Sequence, residues 1–173
     1  FEQVNNFDIN IITSTTNDLI KITPNDFINN PIYKISGYVD SSGSVIWNYT
    51  FNDGDSKRNL SGKIEWNERN YTNYSEFTTY RCGGFSFEIR AWELNADSIA
   101  ALSGRFNIGK KEIRKNISMY KGISIYRDSV LVLPKSESSR DWLGLDAKRI
   151  SQIGRRLSTS QIVGIVNITN QNN

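Results

Sequence analysis

The residues able to do chemistry are few, and their spacing argues against most reactions. The chain has no histidine and a single cysteine, Cys82. A serine or thiol nucleophile needs a nearby base, usually imidazole. Cys82 therefore reads as a structural thiol. One cysteine also excludes an internal disulfide and any multi-cysteine zinc site. The missing histidine removes nearly every imidazole-ligated metal centre. Asp53 and Asp55 flank Gly54 like the opening of a calcium loop. The ligand spacing then fails, so the segment reads as a turn. Glu88 and Glu93 would suit acid and base work if they shared a face, but an odd separation along a strand sends them to opposite faces. Neither GxxxxGK[ST] nor GxGxxG occurs, and Gly83, Gly84, Gly104 and Gly109 read as turn and cap glycines. By these residues the chain alone catalyses nothing and holds no cofactor or metal.

Charge is the second chemical signal. Lys and Arg number 21 against 18 Asp and Glu, a net charge of +3. The excess is uneven. Arg105, Lys110, Lys111, Arg114, Lys115 and Lys121 face Glu112 alone, and a second cluster holds Lys148, Arg149, Arg155 and Arg156. Two readings stay open. The clusters are solvated helix faces, or they meet phosphate, as in DNA, or another acidic partner.

The elements that must position these residues follow from composition and period. The 173 residues are 38% hydrophobic, 12% aromatic and 23% charged, which suits one globular domain with a core of ordinary size. No run approaches 18 apolar residues, so no membrane helix is expected. The opening FEQVNNFDIN has neither an initiator Met nor a basic and apolar leader, so the chain reads as a piece of a longer cytoplasmic protein. Residues 1–32 read as a lead-in, with a strand around Phe7, Ile9 and Ile11 and one helical turn between Pro24 and Pro31. Tyr33–Val39 and Val45–Phe51 alternate as a hairpin, and another strand begins at Gly62–Trp66. Residues 67–81 read as a surface loop. Phe85–Trp92 alternates again. Asn95 is a helix cap before Ala96–Leu102, with Gly104 and Gly109 as breaks, and Lys110–Met119 turns Ile113 and Ile117 to one face. Gly122–Tyr126 and Val130–Leu133 flank the two-residue turn Asp128-Ser129. Ala147–Ile153 is a short helix, and Gln161–Ile168 a central strand buried on both faces. Trp142 and Leu143 are expected to fill core. The order makes the fold α+β: a mixed sheet with helices packed on one face.

Residues 120–168 carry a resemblance. Tyr126-Arg127-Asp128, a strand running to Pro134, Asp141–Asp146 (DWLGLD), a basic helix, and Arg155–Ser158 (RRLS) with Gln161 are similar to the segment following the ATPase module of GHKL-superfamily proteins (gyrase B-, heat-shock chaperone-, histidine kinase- and MutL/MORC-type). Ser129 stands where those proteins have Gly, and Thr159-Ser160 where they have Asn-Asn. The resemblance implies a middle or transducer domain over 33–173, of the ribosomal-protein-like left-handed βαβ type. It implies an ATP-binding domain upstream on the same polypeptide, ATP and Mg for the whole protein, and an ATP-dependent homodimer. A transducer typically sends a Lys from beyond a core strand to the γ-phosphate; the chain stops at Asn173 before such a motif. Arg127, Asp128, Arg155, Arg156 and Gln161 become the interdomain or nucleotide-sensing candidates.

Overall fold

The computed structural model describes residues 10–13, 16–21, 26–65, 83–135, 141–151 and 157–169. The expected loop 67–81, together with Cys82, Arg155 and Arg156, lies outside them.

Two short strands near the start, β1 (Asn10–Thr13) and β2 (Thr16–Lys21), pair antiparallel with each other. Expected β1 residues Phe7 and Ile9 fall outside the described segments, and β2 had no clear alternation to announce it. A helical turn follows, α1 (Asp26–Asn29), as Pro24 and Pro31 suggest. Phe27, Ile28 and Ile32 belong to the main core, so the end of the lead-in is part of the domain.

The main sheet contains β3 (Tyr33–Val39), β4 (Val45–Asn52), β5 (Lys57–Ile64), β6 (Phe85–Ala91), β7 (Gly122–Arg127), β8 (Val130–Leu133) and β9 (Ile162–Ile168). Their order is β5-β4-β3-β6-β9-β7-β8, and β7 with β9 is the parallel pair. Turn chemistry sets the hairpins. The Asp40 carboxylate accepts from the Ser42 and Ser44 amides at 2.8 and 3.0 Å between β3 and β4. Between β4 and β5 the Asp53 carboxylate accepts from the Asp55 and Ser56 amides at 3.1 and 2.7 Å and so closes the turn. Asp128 and Ser129 both take positive φ, 48° and 67°, the geometry of the turn that matches strand twist.

β5 begins at Lys57, five residues before the expected Gly62. Its first residues are mostly polar because it is an edge strand, so alternation is a poor guide there. Register puts Gly62, Trp47, Gly37, Phe87, Val166 and Ile125 in one row across one face. Two of its rings lie over glycines: a Cβ on Gly62 would sit 2.7 Å from Trp47, and one on Gly37 2.8 Å from Phe87.

The remaining helices are α2 (Ala96–Phe106), α3 (Lys110–Tyr120) and α4 (Leu145–Ser151). Asn95 caps α2 as expected, accepting from the Ser98 amide at 2.7 Å. Gly104 does not break α2; the helix runs through it and ends at Asn107, which takes the left-handed conformation, φ 51°. Ile99, Leu102, Ile113 and Ile117 pack with Phe27 around Trp92 in one buried cluster, and Ala91, Ile123 and Ile162 form a second with Leu143 and Leu145. The sheet residues in these clusters include Tyr33 of β3, Phe51 of β4, Ile89 and Ala91 of β6, Ile123 of β7 and Ile162 and Val166 of β9, which share one face, with Val163 from the other. The class is α+β with a mixed seven-stranded sheet among the described residues.

Two core expectations change. Trp142 is 42% exposed, and Leu143 alone of that pair reaches the core. β9 is central, but Ile165 is 41% exposed, so the strand is buried on one face and open on the other. Among the described residues no helix is long and apolar enough to cross a membrane.

Candidate functional site

The strongest convergence of the resemblance residues lies where α4 meets the start of β9. Asp141 begins it. Its carboxylate accepts from the amides of Leu145 and Asp146 at 2.8 Å and of Ala147 at 3.1 Å, which satisfies the open donors at the head of α4. Gly144 makes the preceding turn at φ 63°, with its amide donating to the Asp141 carbonyl at 2.9 Å. Asp146 then points across to the second motif. Its carboxylate accepts from the Thr159 amide at 3.0 Å and from the Thr159 hydroxyl.

The second motif is rigid in its own right. Thr159–Gln161 form a single 3-10 turn with a reciprocal cap at Ser158. The Ser160 amide donates to the Ser158 hydroxyl at 3.1 Å, and the Ser158 amide donates to the Gln161 side-chain carbonyl at 3.2 Å. The Gln161 backbone carbonyl accepts from the Trp92 amide at 3.1 Å, which ties the turn to the end of β6. Ser158 and Thr159 are the buried polar residues here, 3% and 2% exposed. Burial acts to raise the Asp146 pKa. The Thr159 donors and Ser158 outweigh it, with help from the Arg149 charge, and hold the carboxyl below its usual value.

Two further networks brace this end of the sheet. The Tyr33 hydroxyl donates to Glu93 at 2.5 Å, and Glu93 also accepts from Asn95 and Ser98 at 3.1 Å, joining β3 to the head of α2. Burial, then the Glu93 bond and charge, push the Tyr33 pKa up to about 12. On the polar face Glu88 pairs with Lys34 at 2.7 Å and Arg90 at 2.6 Å, and Arg90 donates to the Ile28 carbonyl at 2.9 Å. Burial pushes the Glu88 carboxyl up, yet the two cations bring it below its usual range. Glu88 and Glu93 thus serve separate networks and form no acid–base pair.

The described interdomain candidates, Arg127, Asp128 and Gln161, do not form one cluster. Gln161 stands at the start of β9. Arg127 and Asp128 stand at its far end, where Arg127 lies opposite Ile168 and the Asp128 amide donates to the Ile168 carbonyl at 3.0 Å. Seven strand residues separate the two positions by about 20 Å. Of the basic residues, Arg105, Lys110, Lys111, Arg114 and Lys115 are exposed on α2 and α3, and Lys148 and Arg149 on α4. Among the described residues no group of His, Cys, Asp and Glu is placed to hold a metal ion.

Residue reading missed Thr159, the buried partner that joins the two motifs. No local signal in the sequence marked it, because the bond joins residues thirteen positions apart. The surroundings of this joint do one thing well, which is to hold α4, β6 and β9 in a fixed relation. Comparison with protein-family models, with curated proteins and with solved structures finds no match for the chain.

Proposed function

We propose that this chain is the transducer domain of a GHKL-type ATPase. It docks on an ATP-binding module of the same polypeptide and passes on nucleotide state as rigid-body movement, with no chemistry of its own. ATP and Mg as ligands of the whole protein, an ATP-dependent homodimer and a cytoplasmic location belong to the same proposal. One observation carries it. The Asp141–Asp146 motif is joined to the turn between Ser158 and Gln161, the described end of the second motif, by the Asp146 carboxylate on Thr159, a position where the GHKL proteins have Asn. A domain that relays a movement at its surface needs such a stiff joint between helix and sheet, because packed elements shift as units.

Calorimetry tests the reading. The 173-residue chain is expected to show no binding of Mg–ATP, while a longer polypeptide with the upstream module binds and hydrolyses it. Tight ATP binding by the 173 residues overturns the proposal.

A second reading, nucleic-acid binding, is favoured by the flank of α3. Lys110 with Arg114, and Lys111 with Lys115, stand four residues apart on exposed positions. Such like-charged pairs weaken a helix, and cations in its first turn oppose its dipole. No ion pair among the described residues engages these four or Arg105. If these five cations meet phosphates, a duplex-DNA titration gives a log–log salt slope of about −4.5. Binding with a flat salt response refutes this mode.

A further inference from the structure

The two edges of the main sheet are built differently. β5, at one edge, exposes Leu60 and Ile64 but sets Lys57, Arg58 and Lys63 among them. Cations along an edge are the usual guard against pairing with another chain. β8, at the other edge, has no charge. Val130, Leu131, Val132 and Leu133 are 65%, 49%, 52% and 38% exposed, and among the described residues the strand pairs with β7 alone. The apolar surface continues past its end. Lys135 donates to the Met119 carbonyl at 2.5 Å and so ties the exit of β8 to the end of α3, where Met119 and Tyr120 are 49% and 47% exposed. Six exposed apolar residues beside an uncharged row of backbone donors and acceptors mark a protein-binding edge, whose reach is limited by the four-residue strand and by its register shift against β7.

We propose that β8 pairs with β8 of a second copy of this chain, antiparallel about a two-fold axis. The choice of occupant follows from charge and closure. Two uncharged strands meet without repulsion, and one pairing uses both free β8 edges, so the assembly stops at a dimer. Pairing β8 with β5 of another copy would set three cations beside valine and leucine and leave an edge open for an endless chain. Pro134 ends the pairing after four residues, since it offers no amide to a ladder. Four paired residues bury less than the roughly 1,200 Å² of a stable interface, so the dimer of this chain alone is weak and concentration-dependent. The inference is independent of the nucleotide reading.

Sedimentation velocity on the 173-residue chain tests it, from micromolar to millimolar concentration. A monomer–dimer equilibrium is expected, weakened about tenfold or more by Val132→Lys or Leu131→Lys, because either puts like charges across the two-fold. Amide exchange on the unmodified chain gives a reading free of any folding defect in the variants: the β8 amides gain protection as concentration rises, and those of β5 do not. A chain that stays monomeric throughout overturns the proposal, and so does a dimer indifferent to both substitutions or one whose β8 amides never become protected.

Discussion

Trp92→Ala is expected to cost about 3–5 kcal/mol, enough to unfold much of the population of a marginally stable domain. Trp92 is fully buried, and its ring is the centre on which α1, α2 and α3 converge with the end of β6. Phe27 meets it edge-on at 6.4 Å. Removing the indole deletes the largest buried side chain and leaves a cavity that three helices cannot close together. Trp92→Phe should behave differently. The indole Nε1 is buried and has no hydrogen-bond partner among the described residues. A buried donor without a partner costs about 1–3 kcal/mol, so phenylalanine gives up area but also removes that penalty. Chemical denaturation of both variants checks the contrast. The outcome that contradicts it is a Phe variant as unstable as the Ala variant, which would mean that the indole N–H is bonded after all.

Asp146→Ala is expected to cost about 2–4 kcal/mol. Thr159 is 2% exposed, and its amide and hydroxyl both donate to the lost carboxylate, so two buried donors are left without an acceptor. Thr159→Val removes one of those donors together with its need. The two substitutions should therefore be strongly non-additive in a double-mutant cycle. The sign of the pH response follows from the lowered Asp146 pKa. Its stabilisation is fully present above the unfolded value near 3.8 and is lost as pH falls through the lower folded value. Wild type and Asp146→Ala should thus differ most at neutral pH and converge in acid. A stability gap that stays constant down to strongly acidic pH contradicts the ionised role of Asp146. In the transducer reading, the same substitution in the longer polypeptide should uncouple movement from ATP binding while leaving nucleotide affinity intact.

These two residues show what could be read along the chain and what could not. Asn95 as a helix cap, Ile113 and Ile117 as the inner face of α3, the Asp128-Ser129 turn and the alternation of β3, β4 and β6 were all legible, because each depends on neighbours within a few residues. The candidate site was half legible. DWLGLD and RRLS drew attention as motifs, but the bond from Asp146 to Thr159 spans thirteen residues. That Arg127 and Asp128 stand at the opposite end of β9 from Gln161 was not legible, since it follows from the parallel pairing of β7 with β9.

Some expectations erred for reasons of context. Gly104 looked like a break by propensity, yet a helix tolerates one glycine at about 1 kcal/mol when Leu102 and Phe106 on either side are held by the core. β5 hid its first residues because an edge strand is selected against pairing and not for alternation. Trp142 looked like core by residue type, but it sits in the turn that Gly144 makes, where its neighbour Leu143 takes the inward direction.

By itself the sequence determined the class of structure and most of its parts: strand and helix periods, caps, turns and the exclusion of histidine-dependent chemistry are local properties of residue type and spacing. Tertiary structure decided the order of strands, which charged and which uncharged strand becomes an edge, which motif residues share a hydrogen bond, and that Trp92 rather than Trp142 is the centre of the core. These depend on which distant segments lie side by side. That is a property of the sheet as a whole, since each strand's burial and partners are set by the neighbours that the fold brings to it.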